Sequence, residues 1–373
     1  MRQFPLRLIH LAVIALSLTL IGESTAAKPI PATTPKYVNN AAGASSIPTR
    51  VSTRTSKNPR QAQLLHTFKN PSIPPLNATS VTLSYNNQLM ASVGDFIRTW
   101  DLKSKKELRT FAQNGSKVNA AIFAPNAGQT LITGHEDSTI KLWNPRTGQL
   151  LRTLTKHTNA VKTLATSPKG QLFASSSLDG TVKVWNWQAG LLLRTLSERF
   201  SGSNGVVLAF SRDGETLATA DEKALKLWNM RTGQLLRTVV QESSIASLTF
   251  SADGQTLISS NTGDDAIKLW NTRTGQLLRS FKGNEPKNLD AYYLNISPDG
   301  QTFMVTMLDF SSPIHSAPAM FFELRNLATG QQISFPDSNS ACSGAGSFVF
   351  APDGKTFACS QVDDIQIWRM PTP

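Results

Sequence analysis

Residues 141–152 read KLWNPRTGQLLR, 226–237 read KLWNMRTGQLLR and 268–279 read KLWNTRTGQLLR. Only Pro145, Met230 and Thr272 break the identity. Self-similarity at a fixed spacing marks one supersecondary unit copied along the chain. Tryptophans in the same phase stand at 100, 143, 185, 228, 270 and 368, and the first five are 43, 42, 43 and 42 residues apart. The interval from Trp270 to Trp368 is 98 residues, room for two units if one is enlarged. FELRNLATG supplies the missing member, because Arg325 precedes Gly330 by five residues as Trp143 precedes Gly148. The chain therefore holds seven units.

Each unit follows one grammar, clearest at 161–196. Val161 to Thr166 alternates and reads as a strand. Ser-Pro-Lys-Gly (167–170) is a turn, and Leu172 to Ser176 a second strand. Leu178-Asp-Gly180 turns into a third strand, Thr181 to Trp185, and Gly190 opens a fourth, Leu191 to Leu196. The first turn recurs as SRDG (211–214), SADG (251–254), SPDG (297–300) and APDG (351–354). Asp-Gly supplies the positive φ of a tight hairpin. A calcium loop needs further carboxylates at alternating spacing, and these turns lack them.

Four short antiparallel strands per unit, with a Trp near the end of the third, resemble the WD40-repeat family. The resemblance covers 63–373 and implies an all-β fold: a seven-bladed β-propeller with one four-stranded sheet per blade. The last unit stops at Trp368 and lacks a fourth strand, whereas Gln63-Leu-Leu-His-Thr-Phe68 matches Gln149-Leu-Leu-Arg-Thr-Leu154. We therefore expect 63–68 to pair beside 365–368, closing the ring and removing an open edge. Three features depart from the family pattern. Asn follows Trp at 144, 186, 229 and 271, and the name-giving Asp occurs only at Trp100-Asp101. Only His157 stands at the family's Gly-His position, and Arg325 replaces a Trp.

The ends of the chain differ from the repeats. Arg2 and Arg7 precede an uncharged apolar run, Leu11 to Gly22, and small residues follow at Ser24-Thr-Ala26. This reads as an export signal over 1–26, too short to span a bilayer. The expected location is periplasmic or extracellular, with tethering by an uncleaved anchor as the alternative. Residues 27–62, rich in Ala, Pro, Ser and Thr, read as a flexible linker. Eight of the 37 basic residues and one of the 25 acidic ones precede residue 63, leaving only +5 for 63–373. The high net charge is thus a poor argument for nucleic acid. The linker's cations would attract anionic envelope surfaces weakly. Two cysteines cannot make a disulfide scaffold. A Cys342–Cys359 bond is left open, because the hairpin register sets Cys359 opposite 347 or 348.

Ser175, His157 and Asp179 invite a catalytic-triad reading. The family resemblance implies instead that these three and Trp185 form a hydrogen-bonded tetrad inside a blade, where a Ser between sheets has no path to substrate. Thr133, Asp137 and Trp143 make a partial set. G-x-S-x-G and phosphate-loop motifs are missing, and His135-Glu136 lacks the second His of a zinc protease. No Cys/His spacing suits a metal. We expect no catalytic residue, metal or cofactor. Arg109, Arg152, Arg194, Arg237 and Arg279 recur in five outer strands. They form either a basic belt or, more simply, stems covering the gap between blades.

The sixth unit is the longest, with extra length mainly in 307–319 (MLDFSSPIHSAPA), read as a loop, and a long connection at 282–291. Leu308, Phe310, Ile314 and His315, with Lys282 and Lys287 on the rim, form the expected partner site on the family's wider face. The expected function is a non-enzymatic, monomeric scaffold for protein partners. The alternatives are a small-ligand or glycan module at the channel mouth and, last, a propeller hydrolase.

Overall fold

The structure, a computed structural model, describes residues 62–69, 80–94, 96–112, 116–126, 128–196, 206–221, 224–262, 266–282, 289–309, 319–333, 347–360 and 364–370. Backbone alone is described at 112, 262, 282, 289–293, 307–309 and 319–322. The expected signal at 1–26, linker residues up to 61, Lys287, Phe310, Ile314, His315 and Cys342 lie outside these residues.

Seven four-stranded antiparallel sheets form a propeller, with no helix among the described residues. Blades 1 to 6 span 80–112, 118–154, 161–196, 207–240, 244–282 and 289–333. Blade 7 takes three strands from 347–369, and its fourth is Gln63–Lys69. That strand pairs antiparallel with Asp364–Arg369, Phe68 opposite Ile365 and Leu64 opposite Trp368. Both ends of the ring are thus stitched into one sheet, leaving no open edge at the seam. The first strand of every blade touches the first strands of both neighbours, which places these strands around the centre.

Blade 3 shows why the sequence folds this way. Its strands are Val161–Thr166, Leu172–Ser177, Val182–Asn186 and Leu191–Leu196. The middle two, LFASSS and VKVWN, are buried on both faces between neighbouring blades, with small residues in the second strand opposite Val182 and Val184 in the third, and Phe173 opposite Trp185. The Asp-Gly turns work as expected. At 211–214, Asp213 accepts the Ser211 hydroxyl and the Glu215 N–H, while Gly214 holds φ 76°.

The core is split into seven clusters, one in each gap between neighbouring blades. The gap between blades 2 and 3 holds Ile132, Leu142, Phe173 and Trp185. Burying each such side chain stabilises by about 1.5–3 kcal/mol. Stability is therefore shared among like interfaces, as in other repeat proteins.

Two features depart from expectation. The fourth strand of every Trp-bearing blade carries a β-bulge beside the Trp: Leu192 opposes Trp185, but Arg194 opposes Val184. Blade 6, with Arg325 at that register, has none there: Gln332 opposes Arg325 and Ile333 opposes Leu324. The second concerns 307–319, read above as a loop. The second strand of blade 6 runs Thr302–Asp309 and the third Ala319–Asn326, with Leu308 opposite Met320. Leu308 is thus a strand residue. Lys282 likewise ends a strand opposite Ala266, and 289–291 begin one, so the connection at 282–291 is shorter than expected. The apolar run at 303–308, broken only by Thr306, lets backbone pairing continue where length alone suggested a loop.

Candidate functional site

In blades 2 to 5, second-strand and third-strand pairing sets the Trp beside a hydroxyl. In blade 3, Trp185 opposes Phe173, and Ser175, two residues on, shares that face. Trp143, Trp185, Trp228 and Trp270 donate their Nε1–H to Thr133, Ser175, Thr219 and Ser259 at 2.8, 2.9, 2.9 and 3.0 Å. A buried indole N–H needs such an acceptor.

Blade 3 carries the relay furthest, and the structure brings the four predicted residues together. Ser175 Oγ lies 2.7 Å from His157 Nε2, and His157 Nδ1 lies 2.7 Å from Asp179 Oδ2. Asp179 also accepts the Thr158 N–H and the Thr181 hydroxyl, at 3.1 and 2.6 Å. Burial lowers the His157 imidazole below its ordinary value, and the Asp179 hydrogen bond and charge only partly offset this. Burial pushes Asp179 up, but hydrogen bonds from Thr181, His157 and Thr158 outweigh it and hold the carboxyl at about 2. The relay therefore runs from Trp185 N–H to Ser175, from the Ser175 hydroxyl to Nε2, and from Nδ1–H to the carboxylate.

Those distances equal a Ser-His-Asp triad, so burial must decide between the readings. Ser175 has no exposed surface, and neither has the His157 side chain. The Ser175 oxygen already accepts the indole N–H. A nucleophile must meet its substrate, and this one meets Trp185. What the arrangement does is satisfy four buried polar groups at once.

Other blades reach the same end with residues the sequence reading missed. In blade 2, Thr133 bonds His135 Nε2 at 2.7 Å, two residues along its own strand. Asp137, expected in this set, instead accepts the Thr139 N–H and hydroxyl in its own turn. His135 is fully buried, and burial, aided by the Lys141 charge, lowers its imidazole to about 4. In blade 5, Ser259 donates to Asn261 Oδ1 at 2.8 Å, and Asn261 Nδ2 donates to Gln241 and Ser243 at 2.8 and 3.1 Å. The signal available was a polar residue two positions after the hydroxyl, on the same strand face.

Blades 6 and 7 are built otherwise. In blade 6, Arg325 Nε donates to Glu323 Oε2 at 2.7 Å, with both side chains over nine-tenths buried. In blade 7, Cys359 takes the hydroxyl's register and is disulfide-bonded. Trp368 there donates to Gln366 Oε1 at 3.0 Å. Among the described residues, no group of three His, Cys, Asp or Glu could hold a metal ion.

The recurring arginines act between blades. Arg194 donates to the Arg231 and Thr232 carbonyls of the next blade, at 2.6 and 3.1 Å. Arg152 and Arg279 donate to Ala189 and Ala328 in the same way. This accounts for the motif: the Gly of one Thr-Gly turn receives the Arg of the preceding unit. Gly233 has φ 78°, and a Cβ there would meet Arg194 Nη1 at 2.8 Å. Blades that are not neighbours are also linked: Tyr85 bonds Thr166 at 3.0 Å, and Arg212 donates to the Pro298 carbonyl at 3.3 Å. Both join the first-strand ends that surround the channel.

Of the expected partner site, the structure describes only the backbone of Leu308 and Lys282, both in strands.

Residues 105–144, 148–186, 192–229 and 233–271 match the family model described as WD domain, G-beta repeat. The chain is similar to nuclear distribution protein PAC1 of Mycosarcoma maydis, 41% identical over 70 residues, which are 19% of this chain and 15% of that one. Nuclear distribution protein PAC1 of Arthroderma benhamiae is 33% identical over 88 residues, 21% of this chain and 19% of that one. The chain thus spans less than a fifth of the length of these curated relatives. Four stretches between 105 and 271 thus match WD40 repeats, and they lie within seven blades of one strand order.

Proposed function

We propose that the protein is an exported, non-enzymatic platform for protein–protein contacts, with blade 6 as its docking side. The four WD40 repeats support a scaffold role in general. The observation that carries the finer reading is the hairpin of blade 6. Its second and third strands share eight residue pairs, against four to six in the other blades. Two further pairs extend the hairpin by roughly 7 Å at the usual rise per residue. It leads into the 307–319 segment with Leu308, Phe310, Ile314 and His315, and Lys282 and Lys287 belong to the preceding connection.

The non-enzymatic reading is supported by the burial of the one triad-like constellation. Export is supported by the apolar run at 11–22 and by the disulfide at Cys359, since disulfides persist in oxidising compartments.

Affinity capture from envelope and culture-supernatant fractions tests the proposal. The intact chain is compared with a variant whose 310–318 segment is replaced by a short Gly-Ser turn. The expected result is a protein partner recovered by the first and lost by the second, with equal thermal unfolding. Equal recovery by both moves the site off blade 6.

A further inference from the structure

The outer strands of blades 2 to 5 carry eight leucines that are between 40% and 60% exposed. Leu150–Leu151, Leu235–Leu236 and Leu277–Leu278 are adjacent pairs, and blade 3 presents Leu191 and Leu193. Neighbours along a regular strand face opposite ways. Here the bulge beside each Trp breaks the alternation, so both leucines of a pair reach solvent.

The fold does not require leucine at these registers. The residue opposite the Trp position is Glu107 in blade 1 and Gln332 in blade 6, both exposed. The position of Leu191 is filled by Gln149, Gln234 and Gln276 in blades 2, 4 and 5, also exposed. The ring thus carries its own polar controls. Copying explains why the leucines recur; it does not explain why four consecutive blades keep them in water.

Charge narrows the occupant. The segments 146–156, 187–196, 231–241 and 273–282 hold nine Lys or Arg and no Asp or Glu. A second copy meeting rim to rim would set guanidinium against guanidinium. The bulges also spoil edge-to-edge strand pairing. The partner is therefore anionic and apolar together. Four near-identical wedges suit a laterally uniform partner, which can take any two neighbouring blades, better than a folded protein that reads one patch. An anionic bilayer has this chemistry: headgroup phosphates for the cations and acyl chains for paired leucines.

We propose that the rim of blades 2 to 5 is a binding surface for anionic lipid bilayers. The proposal goes beyond the scaffold reading and does not depend on it.

The test is cosedimentation of the full chain with vesicles of equimolar phosphatidylglycerol and phosphatidylcholine, and with phosphatidylcholine alone. The rim variant carries Leu150→Gln, Leu191→Gln, Leu235→Gln and Leu277→Gln, each installing a residue that another blade has at that register. A second variant neutralises Lys28, Lys36, Arg50, Arg54, Lys57 and Arg60, to separate the N-terminal cations from the rim. The expected result is preference of the wild type for anionic vesicles, weakened by salt, and a partition coefficient about tenfold lower in the rim variant. The same drop on adding the rim substitutions to the second variant supports the proposal. Arg231→Gln with Arg273→Gln, read the same way, serves if the leucine variant melts early. Equal partition of wild type and rim variant overturns the proposal, as does wild type without preference for anionic vesicles. Loss of a protein partner by the rim variant, with no vesicle binding by wild type, assigns the rim to protein instead.

Discussion

Blades 3 and 6 fill the same slot by different chemistry. In blade 3, Trp185 stacks on Phe173 with centroids 5.9 Å apart and passes its N–H into the Ser175–His157–Asp179 relay. In blade 6, Arg325 lies opposite Phe303 and is neutralised by Glu323, two residues away on its own strand. The relay draws on three separate segments, so it ties the entry loop, the second strand and the following turn to the third strand. The ion pair ties one strand to itself. A bulge accompanies the indole and not the guanidinium. The slot thus demands a large group whose polar end is satisfied, and it tolerates either an indole or an ion pair. In blade 3 the indole solution cross-links the blade, and in blade 6 the ion pair does not. The hairpin lengthens in blade 6, and there we place the docking side.

The sharpest break in this comparison is Glu323→Ala. It leaves Arg325 buried without its counter-charge, and we expect a loss of about 3–5 kcal/mol in denaturant unfolding. Replacing both residues, as Glu323→Leu with Arg325→Met, should restore most of that loss. If Glu323→Ala proves neutral, the pair is not the blade's anchor.

Acid should act on the histidine blades. His135 has a folded-state value near 4, below the ordinary 6.5, so the unfolded chain binds more protons between these limits. Its contribution is complete above pH 6.5 and is lost as pH falls toward 4, about 2 kcal/mol by pH 5. His157, also lowered, acts in the same direction. His135→Asn, which keeps a partner for Thr133, should flatten the pH profile of unfolding over this window. An unchanged slope would mean that His135 is not held neutral.

The smallest effect tests the contacts between blades. Gly233→Ala places a Cβ at positive φ against Arg194, and should cost about 1–2 kcal/mol. The same change at Gly254, which has positive φ but no neighbour within 4 Å of the added Cβ, should cost less. Equal losses would show that backbone strain alone, and not the clasp, sets the cost.

Much of this architecture is legible in the sequence, for a physical reason. Repeats must solve one packing problem seven times, so Trp phase, Asp-Gly turns and the orphan strand at 63–68 announce blades, hairpins and closure. The blade 3 tetrad is legible because its four residue types keep the family's spacing. His135 and Asn261 are not, because they replace a distant partner by a neighbour two residues away. That substitution keeps the chemistry and abandons the spacing. Arg325 is legible as a missing Trp, whereas its dependence on Glu323 appears only once both prove to be buried. Of 307–319, read as a loop, residues 307–309 and 319 pair as strand, since length does not distinguish extended pairing from irregular chain.

The Ser175–His157–Asp179 constellation, with the Trp185 N–H, links three segments of blade 3 to its third strand. Thermal unfolding of Ser175→Ala, His157→Ala and the double variant tests this linkage most directly. Each single change leaves buried partners unsatisfied and should lower stability by about 1–3 kcal/mol. The double variant should lose less than the sum, because the two residues share one relay. Unchanged melting in either single variant would contradict a structural role and return the triad to consideration as a catalytic site.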